Sequence, residues 1–197
     1  MDLNRLSKGE QIAGIAALIL FISSFIKLWG SSEVSSETNF PEGTPQEIID
    51  QANASTDLGS FSLWEGYGLL PKLGVLLALL LVIFVVAKAF GALGNVNLPI
   101  PLGLAYLGLS AITVLTMLVA LLAGPEGDNE QTTGVEGIAT ATYELQRGLL
   151  LFLGILLSLA MLAGSFLHTR EEGTDPRQAI DDLRQPGPRG PTTPPGT

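Results

Sequence analysis

Four stretches of this chain are long and apolar enough to cross a membrane as helices: 12–28, 69–90, 98–123 and 149–167. A bilayer core of ~30 Å takes about 20 helical residues. The first stretch is uncharged except for Lys27 at its end. The second carries Lys72 and Lys88 near its two ends only, and the other two carry no charge. None shows polar alternation, so they read as helices and not as barrel strands. In lipid each backbone group must be paired within its own segment, unless a barrel closes. The fold class expected is all-α, a polytopic membrane protein. It is a four-transmembrane-helix bundle over 1–170 with a disordered, Pro/Gly-rich cytoplasmic tail over 171–197. Charged residues make up 15% of the chain, against about 25% in a soluble domain.

The first stretch has a basic start at Arg5 and Lys8, and Ser7-Lys8-Gly9-Glu10 fits a capping box. No small-x-small cleavage pattern follows it. It reads as an uncleaved signal anchor.

Charge gives the orientation. If the spans alternate, seven of the ten Lys and Arg fall on one side, and Lys27, Lys72 and Arg147 on the other. The bias predicts that both termini are cytoplasmic in a multi-pass plasma-membrane protein. The acids sharpen this. Loops 30–68 and 124–146 hold twelve acids against those three bases, so the whole formal charge of −9 lies on the outer face. Such a face repels nucleic acid and attracts cations or basic partners. Its first reading is solvation of the outer loops.

In loop 30–68, the serines at 31, 32, 35 and 36 read as disordered. Thr44-Pro45-Gln46-Glu47 then predicts a short helix to about Ala54. Trp29, Trp64 and Tyr67 read as anchors in an outer interfacial belt. The loop reads as a lid on the helix ends, with a recognition loop as the alternative. In loop 124–146, Glu126, Asp128 and Glu130 alternate but fall short of a calcium loop.

The chain has no Cys and one His. His168 reads as an interface residue near a helix C-terminus. No span carries an Asp, Glu, Arg or His near its centre, where coupled carriers and intramembrane enzymes place them. No catalytic, cofactor-binding or metal-ligating set can be assembled, and no cofactor is expected. The spans do hold small residues four apart: Ala13 and Ala17, Gly74 and Ala78, Gly154 and Ser158, Ala160 and Gly164. These let helix backbones approach. Gly103, Tyr106, Ser110 and Thr113 form one weakly polar stripe. It reads as a helix-packing seam, with the wall of a small cavity as the alternative.

Arg5-Leu6-Ser7-Lys8-Gly9-Glu10-Gln11-Ile12-Ala13-Gly14-Ile15, and Leu98-Pro99-Ile100-Pro101-Leu102-Gly103-Leu104-Ala105-Tyr106-Leu107-Gly108, resemble uncharacterised four-span integral membrane proteins of actinobacteria. The resemblance covers residues 5–170. It implies a bacterial inner membrane and brings no catalytic residues. The tetraspan layout is also similar to claudin-like proteins, whose paired extracellular Cys has no counterpart here. The expected function is that of a non-enzymatic membrane protein, an interaction, accessory or self-associating subunit. Its partners would be the lipid bilayer and either a second copy or another membrane protein, not nucleic acid. A passive channel or small-solute transporter, and a lipid- or envelope-binding protein, are the alternatives.

Overall fold

The computed structural model describes residues 6–38, 45–47, 50, 56–92, 101–126 and 139–171. Within these the chain runs α1 (Lys8–Ser23), β1 (Gly30–Thr38), β2 (Thr56–Phe61), α2 (Leu63–Gly66), α3 (Leu69–Ala89), α4 (Leu102–Ala123), β3 (Ala139–Arg147) and α5 (Leu149–Glu171). Three helices are long and apolar enough to cross a membrane: α3, α4 and α5, with mean hydropathies of 2.8, 2.2 and 2.4. Only 33 to 39% of each is buried. Helices apolar on every face, with most of that surface uncovered, mark a membrane-spanning protein.

The first predicted span differs in its limits. It starts early because Ser7 caps it: Glu10 N–H donates to Ser7 Oγ at 3.2 Å and Ser7 N–H donates to Glu10 Oε2 at 2.9 Å. It ends early because Ser23 and Ser24 hydroxyls bond back to the carbonyls of Leu20 and Phe21, at 2.9 and 2.6 Å. Its 16 residues reach about 24 Å at 1.5 Å per residue, short of the thickness of a bilayer core.

Helix α1 packs on α5 and α3, α5 on α4, and α4 on α3, closing a ring. Small residues set the spacing. At the α1–α5 crossing, a Cβ added to Gly164 would lie 2.6 Å from Ala13 N and 2.7 Å from Gly9 O. The backbones themselves touch there. Gly14 of α1 faces Val85 of α3, and Gly74 of α3 faces Thr116 of α4. Ala13, Ala17 and Ala78 are buried on these same seams.

The chain is mostly helical but not all-α. β1 pairs antiparallel with β2 on one side and β3 on the other, in the order β2-β1-β3. The serines expected to be disordered therefore lie in a central strand. The sequence GSSEVSSET carries neither period-2 apolar spacing nor strand-forming composition. It is a strand because it has a partner on both edges. The register to β2 slips between Ser32 and Glu33, passing over Leu58. Gly59 takes the slip at φ +102°, a conformation other residues avoid. Of the helix predicted from Thr44, Gln46, Glu47 and Asp50 have helical backbone, and Gln46 Nε2 donates to Asp50 Oδ1 at 3.2 Å. The rest of it lies outside the described residues, as do the link 93–100 and the tail beyond 171.

Sheet and bundle meet at Trp29. Its side chain is 0% exposed, and Nε1–H donates to Ser23 O at 2.7 Å. Its carbonyl accepts from Gly148 N–H at 2.7 Å and from Tyr67 Oη–H at 3.0 Å, and its own N–H donates to Phe61 O. Trp29 and Tyr67, expected at the lipid interface, are instead core residues, with Tyr67 1% exposed. Their polar atoms are satisfied by backbone, so neither needs water. Trp64 is half-buried, stacked on Phe25 at 5.7 Å, and its Nε1–H donates to Ser24 Oγ at 2.9 Å.

Gly164→Val drives two methyl groups into the α1 backbone and is expected to cost about 1–3 kcal/mol. Gly108→Ala, where nothing lies within 4 Å, is expected to leave the melting temperature in detergent unchanged. Equal melting temperatures for the two variants would contradict the α1–α5 contact.

Candidate functional site

At the end of the bundle away from the sheet, α1 begins, α3 ends, α4 begins and α5 ends. Each helix brings a polar or aromatic side chain to one place. Glu10 stands in the first turn of α1 because the capping box fixes it there. Its side chain is 0% exposed. Lys88 in the last turn of α3 reaches across, with Nζ 2.6 Å from Glu10 Oε1 and 28% of its side chain exposed. His168, in the last turn of α5 and 1% exposed, places Nε2 3.4 Å from the same Oε1. Its Nδ1 lies 2.9 Å from Ser7 Oγ, and Tyr106 of α4 packs on its ring at 5.4 Å between centroids.

Ser7 Oγ accepts from Glu10 N–H and also lies within hydrogen-bond distance of His168 Nδ1, with the direction of that second bond set by the ring's tautomer. The result is one chain of contacts, Ser7 to His168 to Glu10 to Lys88. Both carboxylate oxygens of Glu10 are in use, since Oε2 accepts from Ser7 N–H. A carboxyl group buried this deeply needs partners of this quality.

His168 is therefore a core residue, not the interface residue expected. Its burial follows from Gly9, whose missing side chain lets α5 backbone close on α1 at His168. Sequence reasoning gave Glu10 a capping role alone. The cluster was readable in one respect: Glu10, Lys88 and His168 all stand at span ends on the same predicted side.

From this cluster a line of hydroxyls runs along the α4–α5 seam. Gly103, Tyr106, Ser110 and Thr113 are all buried. Ser110 Oγ lies 2.8 Å from Ser165 Oγ. Thr169 Oγ1 contacts Ser165 O at 2.8 Å and Gly103 O at 3.4 Å. Thr113 Oγ1 contacts Leu109 O at 2.9 Å and Gly74 O at 3.3 Å. The stripe's polar atoms join helices to one another and face no opening among the described residues. An apolar groove of about 210 Å³ does open on the α1–α3 seam, lined by Leu6, Gly14, Ile15, Leu18, Val82 and Val85 among others.

At the sheet end the charge is exposed. Ser62 N–H donates to Glu65 Oε2 at 2.9 Å and Ser62 Oγ–H donates to it at 3.1 Å. The Ser62 backbone bond, then the hydroxyl, then Lys27 at 3.5 Å hold the Glu65 carboxyl below its ordinary value of 4.5. Glu126 donates its N–H to Gly66 O at 2.8 Å. Asp128 and Glu130, expected to alternate with it, lie outside the described residues.

Lys88→Met leaves Glu10 buried without its cation. Breaking a buried pair costs about 3–5 kcal/mol, and the part-exposed lysine places the expected loss near about 3, read as a fall in chemical-denaturation stability. For Glu65 the sign runs the other way from a cation. A lowered folded value adds stability above pH 4.5 that is lost as acid carries the group through it. Glu65→Gln is expected to lose less stability than wild type on going from about pH 5 to about pH 3, measured by thermal melts. Comparison with known proteins finds no family model, no curated protein and no solved structure that matches this chain.

Proposed function

We propose that this chain is a non-enzymatic, multi-pass protein of a bacterial plasma membrane. It crosses four times, keeps both termini in the cytoplasm, and acts as an accessory or self-associating subunit. The observation that carries this reading is how the interior polar groups are used. Ser110, Ser165, Thr113 and Thr169 bond to neighbouring helices or to backbone. Glu10 is claimed by Lys88, His168 and Ser7. What the bundle offers outward is an apolar surface suited to lipid or to another helix.

Helix α1 supports the fourth crossing. It lies between two spanning helices, and Ile12, Ile15, Leu18, Ile19 and Ile22 are exposed on its outer face. Phe25, Ile26 and Leu28, exposed in the turn after it, carry the apolar surface beyond the helix end. Seven of the ten Lys and Arg fall on the side assigned to the cytoplasm, which supports the orientation.

A lipid-binding role is the second reading. It is favoured by the apolar α1–α3 groove, which is of a kind an acyl chain fills. A channel finds less support, because the stripe that would line it is engaged in helix contacts.

The chain has no native Cys, so single cysteines give clean labelling in intact cells. Cysteine at Ser35 and Asn129 is expected to react with an impermeant reagent from outside, and at Asn4 and Thr192 only after lysis. Labelling of Asn4→Cys from outside would remove the fourth crossing. For the role itself, crosslinking in membranes is expected to yield a homo-oligomer or a stoichiometric partner, and reconstituted vesicles are expected to pass no small solute. Recovery as a lone monomer that conducts ions would overturn the proposal.

A further inference from the structure

We propose that the groove between α1 and α3 holds one acyl chain of an anionic phospholipid, with the lipid's phosphate beside Lys8 at the groove's polar end. This rests on the second, lipid-binding reading above and gives it a lipid class and a place.

The groove follows from side-chain size. Gly14 and Val85 form its floor. Both are buried, and a Cβ on Gly14 would lie 3.0 Å from Val85 Cγ1. With no side chain at Gly14, the helices close there and leave a trough of about 210 Å³ above them. Ile15 and Leu18 of α1 and Val86 of α3 wall the trough and are exposed. In a bilayer these walls face hydrocarbon. An acyl chain lying in the trough gives them the close contacts that an unfilled gap forfeits, and it needs no hydrogen bonds.

Length selects the occupant. On α1 the groove runs from Gln11 to Leu18, about 10 Å at 1.5 Å per residue. That is less than half of a hydrocarbon core ~30 Å thick. It matches an acyl chain confined to one leaflet. A helix of a second copy crosses both leaflets over about 20 residues and would leave most of its length outside.

Charge selects the headgroup. Lys8 stands one turn before Gln11 and two turns before Ile15, so 8, 11, 15 and 18 share one face of α1. Lys8 is exposed. A lysine on this face lays its stem along the helix and lifts its ammonium to headgroup level, in line with the groove. The acids described nearby turn elsewhere. Glu10 is buried against Lys88 and His168. Glu171 meets Gly9 N–H at 3.5 Å on the α5 side of α1, where Gly9 backs onto His168. Gln11 Nε2 donates to Leu6 O at 3.2 Å at the groove's end. A rim of this kind complements a phosphate with net negative charge better than a zwitterionic headgroup. The orientation proposed above sets this rim in the inner leaflet, where anionic lipids lie.

The test uses full-length protein in phosphatidylcholine nanodiscs that contain a small share of phosphatidylglycerol with a diazirine on its acyl chain. After illumination, adducts are mapped by mass spectrometry. They are expected to concentrate on Ile15, Leu18 and Val82 over Leu115, an exposed residue of α4 that reports general lipid contact. Phosphatidylcholine with the same diazirine is expected to label the groove about fivefold less, and unlabelled phosphatidylglycerol to compete the adducts away. Lys8→Gln is expected to abolish that preference, whereas Lys27→Gln, at the opposite end, should leave it unchanged. Val86→Trp fills the trough and should lower the groove adducts while sparing Leu115. Equal labelling of the groove by the two lipids overturns the lipid class and leaves the lipid-binding reading standing. Labelling of the groove no heavier than that of Leu115 overturns both. An unchanged preference in folded Lys8→Gln overturns the place of the phosphate. Crosslinks between copies at Ile15 or Val82, in place of lipid adducts, give the groove to a second copy and overturn the proposal. The comparison of the two lipids on wild-type protein needs no variant, so it decides even where a substitution impairs folding.

Discussion

Hydrocarbon offers no hydrogen bonds. Every polar group inside the bundle must find its partner within the protein or be carried to an end where water takes over. The arrangement of this molecule follows from that constraint. Glu10, Lys88 and His168 gather at one end, with the Tyr106 ring beside them. The two indoles and the Tyr67 phenol gather at the other, around Trp29. Between them Ser110, Thr113, Ser158 and Ser165 bond to a carbonyl or to another hydroxyl.

The two ends answer the constraint differently. Around Trp29 the partners are backbone groups, fixed by the sheet and by the short turns that lead into it. Around Glu10 the partners are the Ser7 backbone N–H and side chains from two other helices, one of which, Lys88, reaches solvent. The first end is a joint of backbone hydrogen bonds, and the second is held by a side-chain ion pair between helices.

The sequence made the long helices legible because hydropathy over some twenty residues outweighs local detail. The limits of α3, and the start of α5, agree with the apolar runs to within a residue. The start of the first helix was legible, since the capping box of Ser7 and Glu10 stands in front of the apolar run; its end was misjudged, because two serines turn the chain before that run finishes. The sheet was hidden because β1 owes its structure to partners 20 and more residues away in sequence, and Ser-rich strands carry no pattern of their own. The stripe of Gly103, Tyr106, Ser110 and Thr113 was visible from spacing alone. The ionic cluster was not, because its members are single residues at the ends of three different helices. Only the ring order of those helices brings them into contact. Trp29 and Tyr67, read as interface anchors from their place at span ends, are buried where the strands meet the helix ends, which span-end position alone does not reveal.

Between the last residue of β3 and the first of α5 stands Gly148 alone. Its N–H is tied to Trp29 O, and a Cβ there would lie 2.6 Å from the Trp29 carbonyl carbon. A link this short has no slack to absorb rotation. The extramembrane cap and the helical stem are thus geared together: turning α5 about its axis must also twist the strand it continues.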